Sequence, residues 1–126
     1  MQQTWLEVGP VDELAQTLAL IIGDPVLNEH WSAKWRKLPL EKLRAPGDCL
    51  LDREDITDRL GEIACPAIVF HGPVDMSIEI EKGEALCHTL SGCTGVVCVE
   101  GAPHASNLTH PEQVNRPLLA FLRSVN

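Results

Sequence analysis

Long apolar runs are missing from this 126-residue sequence: stretches such as Leu18–Ile22 stop at five residues, far short of the roughly 20 that a membrane span requires. The N-terminus, Met1-Gln-Gln-Thr-Trp5, lacks the basic patch and apolar core of a secretory signal. Positive charge is scarce. Ten Lys and Arg stand against 18 Asp and Glu, for a net charge of −8 and a pI near 5.0. That balance argues against nucleic acid as a partner, because counterion release from a phosphate backbone needs a basic face. The one basic cluster, Lys34, Arg36, Lys37, Lys42 and Arg44, interleaves with Trp31 and Trp35. It reads as the solvated side of an amphipathic helix rather than as a phosphate- or membrane-binding patch. None of the five cysteines is spaced as C-x-x-C, which excludes zinc-finger and thioredoxin-type sites. Cys98 within Val96-Val-Cys-Val99 and Cys87 after Ala85-Leu86 read as small buried hydrophobes. An odd cysteine set of this kind points to a reducing cytoplasm.

What is present describes a folded chain. Hydrophobic residues make up 44% and charged residues 22%, with a mean hydropathy near zero. Disorder and low complexity are thereby set aside, and the length suits one domain around one core. The hydrophobic period changes near residue 63, giving a helical segment over 1–63 and an α/β segment over 64–126 within one intertwined domain.

In the first segment, Pro10-Val-Asp-Glu starts a helix with Pro and acids in its first turn. Its stripe is Val11, Leu14, Leu18, Ile21 and Ile22, and Gly23 ends it. Asp24-Pro25 then caps a helix reaching about Lys37, with Val26, Leu27, Trp31 and Trp35 inward. Pro39, Pro46 and Gly47 break the next stretch into short helical pieces, and residues 55–60 form a last turn before Gly61.

In the second segment, Ala67-Ile-Val-Phe-His71 is a continuous apolar run between Pro66 and Gly72, the pattern of a strand buried on both faces. A helix follows over 77–90, a turn over Ser91-Gly-Cys-Thr-Gly95, and a second buried strand over 96–99. Pro111 to Val125 is a helix with Val114, Leu118, Leu119, Phe121 and Leu122 inward. Strand, helix, strand, helix with short connections implies parallel pairing through a right-handed crossover. The fold class is α/β.

In such a sheet the reactive positions lie just past the carboxyl ends of the strands. His71-Gly-Pro-Val-Asp75 and Glu100-Gly-Ala-Pro-His-Ala-Ser106 occupy those places, so Asp75 and His104 are expected on adjacent loops. An Asp that accepts a hydrogen bond from a His ring fixes its tautomer and stabilises its protonated form.

Residues from about Asp55 to Val125 resemble the C-terminal third of the α/β-hydrolase superfamily. The resemblance rests on Asp55-Ile-Thr-Asp-Arg-Leu60, Ile63-Ala-Cys-Pro-Ala-Ile-Val-Phe-His-Gly72, an Asp three residues past that Gly, Val99-Glu-Gly-Ala-Pro-His104 and Thr109-His-Pro-Glu-Gln-Val-Asn115. It implies that Asp75 and His104 are the acid and base of a catalytic triad, and that residues 10–54 are part of a helical cap. The family's nucleophile sits on a G-x-S-x-G elbow upstream of the cap. No such motif occurs in these 126 residues, and Gly92-Cys-Thr-Gly95 is one residue short of it. The resemblance is therefore to a truncated member.

Two buried parallel strands without charged gatekeepers need neighbours on both edges, which predicts a homodimer with exchanged sheet or cap elements. The functional expectation is a hydrolase of small esters or phosphoesters in which Asp75 and His104 activate water. A divalent metal such as zinc would assist, held by His104, Asp75 and His71, with His30, His88 and His110 as weaker donors. Two alternatives stand beside it. One is a non-catalytic homodimer that binds a ligand or partner, with Trp5, Trp31 and Trp35 available to line a pocket. The other is a fragment of a longer, ordinary hydrolase.

Overall fold

The computed structural model describes Gln16 and residues 19–125. The expected helix start at Pro10, the stripe positions Val11, Leu14 and Leu18, and Trp5 lie outside the described residues. Tertiary contacts divide the described chain into two units, one over 24–55 and one over 20–23 together with 56–125.

The first unit is helical. Helix α1 spans Pro25–Trp35, with Pro in its first turn and the Asp24 carboxylate accepting the Leu27 amide at 2.8 Å, the N-cap expected of Asp before a helix. Leu27, Trp31 and Trp35 are half-buried, whereas Val26, expected inward, is 79% exposed. Lys34 lies over the Trp31 ring at 4.6 Å, so the basic cluster includes a cation–π contact. Helix α2 spans Leu40–Leu51 and runs through Pro46. The expectation of broken pieces is corrected here. An internal proline removes one backbone donor and crowds one carbonyl, and a helix with enough flanking turns tolerates that loss.

The second unit carries the sheet. A 3₁₀ turn over Thr57–Glu62 leads into strand β1, Ala67–His71, which pairs in parallel with strand β2, Cys93–Cys98. Helix α3, Ile80–Thr89, joins them and packs on both. After β2 come a one-turn helix α4, Ser106–Thr109, and helix α5, Pro111–Ser124. β2 starts three residues earlier than its apolar run, taking in part of the expected turn. Ala67 pairs with Cys93 and Val69 with Val96, so β2 carries one extra residue between them, a bulge at which Gly95 has φ +150°.

Alternation along β1 places Phe70 on one face and Val69 and His71 on the other. Phe70 packs against the buried cluster Val99, Ala102 and Val114, while Val69 and His71 lie against Gly83 of α3. The face that α3 turns inward is Ile80, Gly83 and Cys87, at three- and four-residue spacing.

Burial departs from expectation in three places. Both strands are largely half-buried rather than buried on both faces, because each has one strand neighbour among the described residues. Leu119 and Leu122 of α5, expected inward, are 52% and 44% exposed, leaving Val114 as the helix's buried residue. Cys98 is exposed and free, and Cys87 is bonded to Cys93, closing the end of α3 onto the start of β2. Disulfides persist in oxidising surroundings, so the expected reducing cytoplasm finds no support in this pair. Among the described residues no helix is long and apolar enough to cross a membrane.

Candidate active site

The loops that leave the two strands are drawn together by backbone. The Val99 amide donates to His71 O at 2.8 Å, continuing the ladder past β2, and the Val74 amide donates to Ala102 O at 3.3 Å. The approach is so close that a Cβ on Gly72 would lie 2.1 Å from Ala102 O, so only glycine fits there. Gly101 turns the second loop with φ +72°. Glu100 and Gln113 then tie that loop to α5. The Glu100 amide donates to Gln113 Oε1 at 3.0 Å, and Gln113 Nε2 donates to Glu100 O at 3.2 Å. On the far side the Ala105 amide donates to Ile21 O at 3.2 Å, which is how residues 20–23 join this unit.

These constraints bring Asp75 and His104, 29 residues apart in sequence, within 2.8 Å of each other, His104 Nδ1 to Asp75 Oδ2. A carboxylate only accepts, so Nδ1 carries a proton and Nε2 is the nitrogen left for other partners. The Asp75 side chain is 6% exposed and that of His104 39%. The other carboxylate oxygen, Asp75 Oδ1, accepts the Ser77 amide at 2.8 Å and the Ile78 amide at 3.1 Å. Burial alone would push the Asp75 carboxyl up. The hydrogen bond from His104 and those from the Ser77 and Ile78 amides outweigh it and hold the group below the ordinary aspartate value. The outcome is a fixed charge behind an exposed imidazole. A shallow hollow of about 380 Å³, lined by Met76, Ile78, Glu79 and Lys82 among others, opens beside Asp75. A larger groove of about 580 Å³ along α5, between Glu112 and Arg123, contains neither member of the pair.

The metal set expected from the sequence does not assemble. Among the described residues no group of three or more His, Cys, Asp or Glu could hold a metal ion. The physical reason is that the donors are already engaged. Both Asp75 oxygens accept hydrogen bonds, and His104 Nδ1 is used on Asp75. His71 Nε2 lies 2.9 Å from Ile78 O, and its other nitrogen faces Gly83. Of the weaker candidates, His30 packs edge-on against Trp31, His88 is exposed on α3, and His110 Nδ1 meets the Thr109 hydroxyl at 2.8 Å. What sequence reasoning missed was the support: the Ser77 and Ile78 amides and Gln113. A glutamine in the first turn of a helix that follows a Gly-turned loop is the one sequence signal that points to any of these.

No family model matches the sequence. A non-heme chloroperoxidase from Streptomyces lividans is 31% identical over 100 residues, which are 78% of this chain and 35% of that protein. A bifunctional esterase/perhydrolase from Acinetobacter calcoaceticus is 26% identical over 103 residues, 82% of this chain and 37% of that protein. Among solved structures, a thermophilic esterase from Thermogutta terrifontis, with malate bound, superposes with a TM-score of 0.84 over 98% of this chain and 47% of its own, at 24% identity. The chain belongs to the α/β-hydrolase superfamily. It spans well under half the length of the curated relatives it matches. As an α/β-hydrolase chain it carries the strand-end Asp and His in contact, and its sequence contains no G-x-S-x-G elbow.

Proposed function

We propose that this α/β-hydrolase chain hydrolyses small carboxylic esters, with His104 as general base and Asp75 as the group that orients and charges it. The observation that carries the reading is the 2.8 Å contact between His104 Nδ1 and Asp75 Oδ2, which commits Nδ1 and leaves Nε2, on an exposed ring, as the nitrogen available to act as base. In the reaction, Nε2 takes a proton from water as its oxygen attacks the ester carbonyl. The imidazolium, stabilised by the Asp75 carboxylate, then returns a proton to the departing alcohol, yielding acid and alcohol. In this scheme the nucleophile is water, activated by the Asp75–His104 pair.

The test is turnover of an activated acetate ester, p-nitrophenyl acetate, by the chain and by His104→Ala. Loss of about 10²–10⁴-fold in the variant is expected, and equal rates would end the reading. The same proposal includes a second copy of the chain. β1 and β2 each lack a strand neighbour on one edge among the described residues, and self-association would satisfy those backbone groups. Light scattering should give a dimer at micromolar concentration, and a monomer there would defeat this part.

A further inference from the structure

His71 is a buried polar residue that the proposed reaction does not use, 8% exposed at the carboxyl end of β1. Its Nε2 lies 2.9 Å from Ile78 O and 3.7 Å from Asp75 Oδ2. A backbone carbonyl only accepts, so the ring donates Nε2–H to Ile78, and the positive end of that N–H sits beside the carboxylate. Ile78 is also the residue whose amide donates to Asp75 Oδ1. The ring therefore grips the carbonyl of the same residue whose amide grips the carboxylate. A second observation is independent of these distances. Helix α3 carries a glycine at position 83, buried in its interior, where glycine is less favourable than alanine. A Cβ there would lie 2.8 Å from His71 Nδ1, so the helix gives up a side chain where the ring needs room.

We infer that His71 is a positioning residue, which sets the Asp75 carboxylate against His104 by locking the 75–78 turn from below. It touches neither substrate nor the reacting atoms. The inference rests on the acid–base reading of Asp75 and His104, and it deepens that reading by naming what holds the acid in place.

The experiment reads the His104 tautomer directly, by ¹⁵N shifts of the imidazole nitrogens above the pH at which the ring is neutral, with hydrogen exchange of the Ser77 and Ile78 amides measured in parallel. Free neutral histidine is a mixture of tautomers, whereas the Asp75 contact selects Nδ1–H. In the unsubstituted chain His104 should be the Nδ1–H form, and Asp75→Asn should lose that preference. His71→Leu should lose it too, with Ser77 and Ile78 exchanging roughly tenfold faster while Val99 and Ala102 keep their protection. His71→Gln, whose amide N–H can reach Ile78 O, should restore both. If His71→Leu fails to fold, Gly83→Ala displaces the ring without removing it and should weaken the same two signals. A folded His71→Leu or Gly83→Ala chain that keeps the Nδ1–H tautomer and slow Ser77 and Ile78 exchange overturns the inference, as does a folded His71→Gln chain that restores neither. These readouts do not depend on turnover, so an inactive chain with the expected tautomer pattern would defeat the esterase reading and leave the role of His71 standing.

Discussion

After β1 the chain turns through 72–79 and buries a carboxylate; after β2 it turns through 99–105 and leaves an imidazole open to solvent. Asp75 is held by two backbone amides and one ring nitrogen, donors that are fixed because the turn itself is fixed. Among the described residues His104 has one polar partner, Asp75, and its loop is held at a distance, by the Gln113 side chain on Glu100 and by Ile21 on Ala105. The contrast separates two chemical tasks. In the proposed reaction, a charge that must not move is enclosed by donors, and a base that must meet a proton of water is anchored through one nitrogen and presented through the other.

The sharpest way to break this contrast is to remove either half. Asp75→Asn should lower p-nitrophenyl acetate turnover by about 10²–10⁴-fold, as His104→Ala should, and the double variant should be no worse than the poorer single, since the two act as a unit. A double variant whose fold-loss is the product of the two single losses would mean the loops work separately. Gly72→Ala acts on both loops at once by forcing a Cβ against Ala102 O. It should cost roughly 1–3 kcal/mol in urea denaturation, and an unchanged midpoint would show that the close approach is dispensable. Reduction of Cys87–Cys93 touches the amino end of β2, opposite to both loops. It should lower stability by roughly 2 kcal/mol and leave kcat unchanged in steady-state assays. Gln113→Ala loosens the second loop alone, with a stability loss of about 1 kcal/mol by the same urea titration. The last effect is confined to acid. Asp75 has its folded-state pKa depressed, so its stabilising contribution is complete above the unfolded value, ~3.9, and is lost as pH falls through the lower folded value. Between those values Asp75→Asn should flatten the decline in stability, measured by thermal melts at successive pH; an unaltered decline would mean that the carboxylate is not held as described.

Much of the second unit was legible because its signals are local. Ala67–His71 is a run of apolar residues between Pro66 and Gly72, and β1 occupies those five positions. Pro111 at a helix start was equally plain. The start of β2 was not, since Gly95 reads as a turn and is a bulge inside a strand. Nor was α2, where Pro46 reads as a break and the helix continues. Cys87 and Cys93 read as separate residues because their pairing depends on α3 folding back along β2.

The sequence by itself determined the order of strands and helices in the second unit and put an Asp and a His just past two strand ends. Those follow from periodicity and turn residues, which act over a few positions along the chain. The tertiary structure decided which atoms of those residues meet. It paired His104 Nδ1 with Asp75, left Nε2 free, and turned His71 from an expected metal ligand into a donor to Ile78. Hydrogen-bond satisfaction at a buried polar group depends on every element packed around it, and no local pattern in the sequence contains that information.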